Sequence, residues 1–349
     1  MKIAGKLIGP DQAPFIIAEL SGNHGQCLKT AELMIAAAAK SGVDAIKLQT
    51  YTADTITLNS HNDEFRIDEA SSLWQGENLY SLYQKACTPW EWHRDLFQLA
   101  HDYGLIAFSS PFDESSVDFL ESLDVPCYKI ASFELNHYPL LKKVAKTGKP
   151  VIMSTGMSTL AEIEEAVAYL YQEGCRELAL LKCTSCYPAP VSDANLNTMA
   201  DMRERFSVPV GLSDHSRGIG VSLVAASLGA EIIERHFVLN PDSRAVDAAF
   251  SSTPEEFALL VKETRQIRSA LGTVHYGPAP SEQDSLKYRR SIYLCRDRCA
   301  GDVLSREDIK VVRPGFGMAP KHFEAIIGRA IKVSKVANSP LHFEDVFDV

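Results

Sequence analysis

Histidines, lysines, carboxylates and hydroxyls recur in this chain at one kind of position, directly after a short apolar run. Glu19 follows Phe15-Ile16-Ile17-Ala18, Lys47 and Gln49 follow Ala45-Ile46, and Ser109 and Ser110 follow Ile106-Ala107-Phe108. Lys129 follows Val125-Pro126-Cys127-Tyr128, Ser154 follows Val151-Ile152-Met153, and Lys182 follows Leu178-Ala179-Leu180-Leu181. Ser213, Asp214 and His215 close the run Val210-Gly211-Leu212, and Glu234, Arg235 and His236 close Ile232-Ile233. Two imidazoles at matched run ends, His215 and His236, suit one shared divalent cation, with positions left open for water and substrate oxygens. Lys47, Lys129 and Lys182 would be costly to bury without an anion, so a ligand with two or three negative charges is expected beside them. The hydroxyls of Ser109, Ser110, Ser132, Ser154, Thr184, Ser185 and Ser213 suit carboxylate or phosphate oxygens. Glu19, Glu134 and Asp247 add carboxylates for proton transfer or for sugar hydroxyls, unless they serve as salt-bridge partners of the lysines.

Eight such runs, most of them separated by a stretch with helical spacing and a glycine stop, predict a (β/α)8 TIM barrel. In that fold the C-terminal strand ends converge on one active site, so the chain reads as an enzyme. Helices are expected over residues 28–41, 90–103, 115–123, 139–146, 160–173, 196–206, 218–228 and 254–271. Residues 51–86 exceed an ordinary strand–helix connection and predict a lid or rim element over the active-site face. That segment carries Trp74, Tyr80 and Tyr83, aromatics able to stack on a substrate or to pack the loop onto the barrel.

At 349 residues the chain exceeds one barrel by roughly a hundred residues, which leaves room for a second, smaller domain. The barrel is expected over 1–272, a linker over 273–290 where prolines and glycine replace periodicity, and a small β-rich domain over 291–349. That domain shows three β-like runs, Ile292-Tyr293-Leu294, Ile309-Lys310-Val311-Val312 and Ile331-Lys332-Val333. It also shows two short helical pieces at 305–308 and 322–327 and a basic glycine-rich turn, Arg313-Pro314-Gly315-Phe316-Gly317. A net charge of −10 argues against nucleic acid or an anionic membrane as partner. No apolar run approaches the roughly 20 residues of a membrane span, and no basic segment with a following apolar run opens the chain. The expected address is cytoplasmic. There the eight cysteines read as reduced thiols; Cys183 and Cys186 form a C-x-x-C, but a zinc site would need a second such pair.

Seven motifs stand in a fixed order. They are Ile17-Ala18-Glu19-Leu20-Ser21-Gly22-Asn23-His24, Ala45-Ile46-Lys47-Leu48-Gln49-Thr50-Tyr51-Thr52, Tyr128-Lys129-Ile130-Ala131-Ser132-Phe133-Glu134 and Ser154-Thr155-Gly156-Met157. Then come Lys182-Cys183-Thr184-Ser185-Cys186-Tyr187-Pro188, Gly211-Leu212-Ser213-Asp214-His215 and Val246-Asp247-Ala248-Ala249-Phe250-Ser251. With them the whole chain resembles the sialic acid synthase family. Ser72-Leu73-Trp74 and Thr88-Pro89-Trp90-Glu91-Trp92-His93 bring it nearest to the pseudaminic acid synthase branch.

The resemblance implies condensation of phosphoenolpyruvate with an N-acylated amino sugar, 2,4-diacetamido-2,4,6-trideoxy-L-altrose in the pseudaminic branch, with release of phosphate by C–O cleavage. It implies that Lys47, Ser110, Lys129, Ser132, Ser154, Lys182, Ser185 and Ser213 hold phosphoenolpyruvate, and that Gln49, Tyr187, Asp247, Phe250 and Arg313 hold the sugar. It assigns Glu19, Glu134, Asp247, His215 and His236 to the chemistry, with Mn2+, Mg2+ or Co2+ on the two histidines. The C-terminal segment resembles an antifreeze-like (SAF) domain, whose Arg313 would reach a partner subunit's barrel in a domain-swapped homodimer. Alternative readings are an N-acetylneuraminate or legionaminic acid synthase using N-acetylmannosamine or a related sugar, another metal-dependent barrel enzyme such as an aldolase, and a carbohydrate-binding protein without catalysis. The chain departs from the family pattern at Gly25-Gln26-Cys27, at Arg235, where lysine is usual, and at Cys186.

Overall fold

The computed structural model describes residues 1–68, 72–243 and 245–347. A short antiparallel hairpin, β1 (Lys2–Ile3) and β2 (Lys6–Leu7), precedes eight parallel strands that close into a barrel. These are β3 (Phe15–Glu19), β4 (Ala45–Thr50), β5 (Ile106–Pro111), β6 (Tyr128–Ile130), β7 (Val151–Ser154), β8 (Leu178–Cys183), β9 (Val210–Asp214) and β10 (Ile232–His236). Each strand pairs with its successor, and β10 returns to pair with β3, so no edge is left open. The eight apolar runs read from the sequence are the eight strands of this TIM barrel.

Side chains alternate along a strand with a period of two, so one half of each run points into the barrel. The inward positions nearest the strand starts are apolar. Phe15, Ile17, Ala45, Phe108, Cys127, Ile152, Ala179, Leu181 and Ile232 form one buried cluster, which Ile3 and Ile8 of the hairpin segment join. Gly211 completes this packing by having no side chain, since a Cβ there would lie 2.2 Å from the Ile232 carbonyl oxygen. One pleat further on, the inward positions turn polar. Outward positions feed a second and larger core shared with the helices, including Ile16, Ile46, Ile130, Met153 and Ile233.

Helices occupy Leu28–Lys40, His93–Asp102, Glu114–Glu121, Tyr138–Ala145, Leu160–Gln172, Thr198–Phe206, Gly220–Ser227 and Pro254–Leu271. Most ends differ from expectation by one or two residues, and Trp90–Trp92 forms a 3-10 turn in place of the start of the second expected helix. Local capping accounts for some of this. The Asp113 carboxylate accepts from the Ser115 and Ser116 amides and starts its helix at Glu114, one residue earlier than expected. Thr159 and Glu162 form a reciprocal capping box that fixes the next-but-one helix.

The segment over 51–86 is structured rather than an open loop. It holds helices Ala53–Ile56 and Leu79–Ala86 and a 3-10 turn at Asp63–Phe65; its residues 69–71 lie outside the described residues. Its end is pressed against the turn after β3, because a Cβ on Gly22 would come within 2.9 Å of the Ala86 carbonyl oxygen. Thr50, at its start, shares buried hydrogen bonds with Ser109 (2.6 Å) and His93 (2.8 Å), and His24 is paired with Thr88 (3.0 Å).

The chain divides into two compact units, Met1–Gly272 and Thr273–Val349. In the second, β11 (Ser291–Leu294) and β12 (Ile309–Val312) pair antiparallel over a core that includes Ile292, Leu304, Ile309, Met318, Ile326 and Leu341. The third β-like run forms no strand; single bridges, Val303 to Ala330 and Arg298 to Lys335, hold that stretch instead. The short helical pieces form, as 3-10 turns at Arg306–Asp308 and Pro320–His322 and a helix at Phe323–Ile326. Pro280–Tyr288, expected within the linker, is a 3-10 helix whose Lys287 carbonyl accepts from the Gly315 amide. Among the described residues no helix is long and apolar enough to cross a membrane.

Candidate functional site

A cavity of about 660 Å³ opens at the C-terminal ends of the barrel strands. Its floor is the polar tier of inward-facing strand residues, and part of its wall comes from the 51–86 segment. Three of these residues form one row across adjacent strands, His236 on β10 beside Glu19 on β3 beside Lys47 on β4. A second row joins Glu234 on β10, Ser213 on β9 and Cys183 on β8.

The floor is a buried charge cluster. The Lys47 ammonium lies 3.1 Å from Glu19 and 3.1 Å from Glu234, with all three side chains at most 5% exposed. Lys129 is 3.6 Å from Glu234 and donates to the Ile130 carbonyl at 3.1 Å. Burial alone would raise the Glu19 carboxyl, but Lys47, His236, Lys129 and a hydrogen bond from Gln49 outweigh it and hold Glu19 ionised. Burial likewise opposes the charge on Lys47, yet its two carboxylates raise it above the ordinary lysine range. At Lys129 burial wins over the attraction of Glu234, and the ammonium is pushed down. Glu134 is the opposite kind of carboxyl. Burial lifts it from 4.5 to about 7, with Lys129 only partly opposing.

Around this cluster stand groups with unused hydrogen-bonding capacity. The hydroxyls of Ser110 and Ser154 and one oxygen each of Glu134 and Glu234 are buried without a partner. Buried polar atoms are normally paired, so the orphans that line the cavity, on Ser154, Glu134 and Glu234, point to a ligand that completes them. Ser132 and Ser185 converge on Gly156, whose amide donates to the Ser132 hydroxyl at 3.0 Å; a Cβ there would lie 2.2 Å from the Ser185 oxygen. These donors and the lysines can take the oxygens of a carboxylate or phosphate.

The His215 and His236 rings meet edge to face, 5.3 Å between centroids. His215 Nδ1 is 3.1 Å from the Thr184 carbonyl, which can only accept, so that nitrogen carries the proton and Nε2 is free to coordinate. His236 Nδ1 is 3.2 Å from the Ser21 hydroxyl and 3.6 Å from Asp247, and its Nε2 is 3.4 Å from Glu19. Burial keeps His236 below the ordinary histidine range. The two imidazoles are donors of a kind that suits a divalent cation. No group of three or more His, Cys, Asp or Glu is arranged to hold a metal among the described residues, so much of such a shell would be water and substrate.

Beside the charge cluster lies an aromatic wall. Tyr187 packs on His215 at 4.5 Å and on Phe250 at 5.0 Å, and Phe250 packs on His236 at 4.9 Å. The turn bearing Asp247 is tied down by Asn23, which accepts from the Asp247 amide and donates to Ser251.

Most residues singled out from the sequence meet in this cavity: Glu19, Lys47, Gln49, Lys129, Ser132, Glu134, Ser154, Ser185, Tyr187, Ser213, His215, His236, Asp247 and Phe250 line it. Ser110 is buried on the inward side of β5 but is not part of the lining. Lys182 is a correction. Leu181 packs in the inward cluster and Cys183 lines the cavity, so by period-two alternation Lys182 faces away, and its ammonium donates to the Cys183 carbonyl at 2.9 Å. The salt-bridge alternative is realised at Glu19, which with Glu234 supplies internal anions to Lys47 and Lys129. Arg313 belongs to the second unit, where it is exposed on a turn fixed by the Ser291 hydroxyl donating to the Pro314 carbonyl at 2.8 Å. Tyr80 donates to Asp54 and is not part of the lining, while Trp74 and Tyr83 line the cavity.

Glu234 and Cys183 were given no role by the sequence. The signal was strand parity, because Glu234 shares its face with His236 and Cys183 with Leu181. Arg235 faces outward, fully buried, and holds Asp214, Ser252 and the Ser216 carbonyl. All eight cysteines are free thiols, and Cys186, exposed, is bonded to the Pro188 carbonyl rather than paired with Cys183.

Comparison with known proteins follows the same outline. The NeuB family model matches residues 34–276, and the SAF domain model matches residues 289–346. A pseudaminic acid synthase of Helicobacter pylori is 42% identical over 336 residues, 96% of this chain and 98% of that protein. An N,N'-diacetyllegionaminic acid synthase of Legionella pneumophila is 36% identical over 97% of this chain and 96% of its own. The crystal structure of an N-acetylneuraminic acid (sialic acid) synthetase from Leptospira borgpetersenii, in complex with citrate, superposes with a TM-score of 0.72 at 33% identity. It covers 83% of this chain and 95% of that one.

The Glu134 carboxyl links stability to pH. Its folded pKa is raised from 4.5 to about 7, so between these values the folded chain holds a proton that the unfolded chain has lost. The stabilisation is complete below pH 4.5 and is lost as pH rises through 7. Glu134→Gln removes the titration. Urea unfolding from pH 4.5 to 8 should therefore show the parent losing roughly 2–3 kcal/mol relative to the variant. Parallel stability profiles would contradict the assignment.

Proposed function

Because the chain belongs to the NeuB family, we propose that it condenses phosphoenolpyruvate with 2,4-diacetamido-2,4,6-trideoxy-L-altrose, releasing phosphate and forming a nine-carbon 2-keto acid. The near full-length likeness to the Helicobacter pylori pseudaminic acid synthase carries the choice of sugar. The matches to legionaminic and sialic acid synthases keep the alternative substrates within the same chemistry.

Lys47 and Lys129, with Ser132, Ser154, Ser185 and Ser213, hold the carboxylate and phosphate of phosphoenolpyruvate by charge-assisted hydrogen bonds. Gln49, Tyr187, Asp247 and Phe250 orient the sugar so that its aldehyde carbon faces the enol carbon. A divalent cation, Mn2+, Mg2+ or Co2+, held by His215 and His236 would supply Lewis-acid polarisation of that aldehyde. The enol C3 then bonds to the aldehyde carbon, and the aldehyde oxygen takes a proton to become a hydroxyl. Water adds at C2 and gives up a proton to a carboxylate, and the C2–O bond to phosphate breaks as the new C2 hydroxyl passes its remaining proton to the departing phosphate, leaving the keto group. Glu134, protonated near neutral pH, suits the proton donor, and the ionised Glu19 suits the sugar hydroxyls and the cation's surroundings. A cytoplasmic address and a domain-swapped homodimer, in which Arg313 of one subunit reaches the sugar in the other, belong to the same proposal.

Incubation with phosphoenolpyruvate and a panel of amino sugars, read by mass spectrometry and phosphate release, tests the reaction. The diacetamido-trideoxy sugar should be preferred, activity should vanish with EDTA, and Mn2+, Mg2+ or Co2+ should restore it. Preference for N-acetylmannosamine, or full turnover by a metal-stripped His215→Ala/His236→Ala variant, would contradict the proposal.

Arginine can offer several fixed hydrogen bonds to an acyl oxygen. Co-refolding Arg313→Ala chains with His215→Ala chains should regenerate one competent site per mixed dimer. No recovery in mixtures shown to contain heterodimers would remove the subunit exchange from the account.

A further inference from the structure

The cavity has two chemically different sides. On one side stand the lysines, carboxylates and serines of the strand ends. On the other, Trp74 from the 51–86 segment packs on Tyr187 at 6.1 Å and on Phe250 at 6.5 Å. The indole nitrogen of Trp74 donates to the Val246 carbonyl at 3.1 Å, next to Asp247. An indole has one donor and no acceptor, and here the donor is already used. What Trp74 can offer a ligand is therefore only apolar surface. Leu73 and Phe250 extend that surface along the same wall.

The position of the wall fixes which end of a sugar it meets. Tyr187 packs tilted against His215 at 4.5 Å, and Trp74 packs against Tyr187 at 6.1 Å, with no direct ring contact between Trp74 and either histidine among the described residues. With the aldehyde carbon at the histidines, the far end of a six-carbon chain extends toward Trp74. We infer that Trp74 is the specificity-determining residue for that distal end, accepting a methyl and rejecting a hydroxymethyl group. This rests on the proposed reaction and sharpens it. A methyl loses nothing against the indole, whereas a hydroxyl pressed there gives up water without gaining a partner. Discrimination of this kind is worth roughly 10- to 100-fold in kcat/KM.

The experiment compares a 6-deoxy amino sugar with its 6-hydroxy counterpart, identical elsewhere, in the parent enzyme, Trp74→Phe and Trp74→Ala. The parent should favour the deoxy sugar by at least about tenfold. Trp74→Ala should bring the ratio to within a few-fold of one, chiefly through the sugar KM, with the KM for phosphoenolpyruvate unchanged. Trp74→Phe, which keeps an apolar ring but loses the bond to Val246, should retain most of the preference. An unaltered ratio in both variants would overturn the inference while leaving the proposed reaction intact. A parent enzyme that turns over neither sugar, or that favours the 6-hydroxy sugar, would overturn both.

Discussion

Lys47 lies between Glu19 and Glu234, three charges from three neighbouring strands enclosed in a closed barrel. Taking them out of water is expensive, and only their mutual attraction and the surrounding hydrogen bonds offset that cost. Removing one partner from such a group costs about 3–5 kcal/mol, because the charges left behind have no solvent to turn to. The fold accommodates the cluster by tiering. Below it the inward positions are apolar and plugged by the N-terminal hairpin; above it the cavity opens to the hydroxyls, imidazoles and aromatic wall. Every functional group in the site is placed relative to this ionic tier.

The charge balance of the tier bears on what can bind. Two lysines face two glutamates on this floor. Lys47 is closely engaged by both carboxylates, whereas Lys129 is farther from Glu234 and its charge is disfavoured by burial. An incoming carboxylate or phosphate would favour the ammonium form of Lys129 against its burial and complete the unpartnered serines. A dianion or trianion would also leave an excess of negative charge, which a cation at the two histidines would offset. Anion and cation binding would in that case be thermodynamically linked.

The barrel was legible because parallel strands buried on both faces read as continuous apolar runs, and because each run ended in a polar residue. The site was legible for the same reason at Glu19, Lys47, Lys129, His215 and His236. It failed at Lys182, where the polar residue one position before the strand's end falls on the outward face, and the inward place belongs to Cys183. Proximity to a strand end is not sufficient, because parity decides which side chains meet. Glu234, named at its run end but without a role, lies one pleat below the more conspicuous His236 on the same face. The small domain's third run formed no strand, since one short apolar stretch without a continuous partner supports only single bridges. The linker's 3-10 helix carried no periodic signal at all.

The central claim is that the ionic tier holds Lys129 in reserve for an anionic substrate. Calorimetric titration of phosphoenolpyruvate into the parent and into Lys129→Met, with the fold of each verified by its unfolding curve, tests it directly. A hydrogen bond to a charged group is worth about 1.5–3 kcal/mol, so the variant should bind on the order of 10- to 100-fold more weakly. Equal affinity in the two proteins would mean that Lys129 is structural and that the anion is held elsewhere.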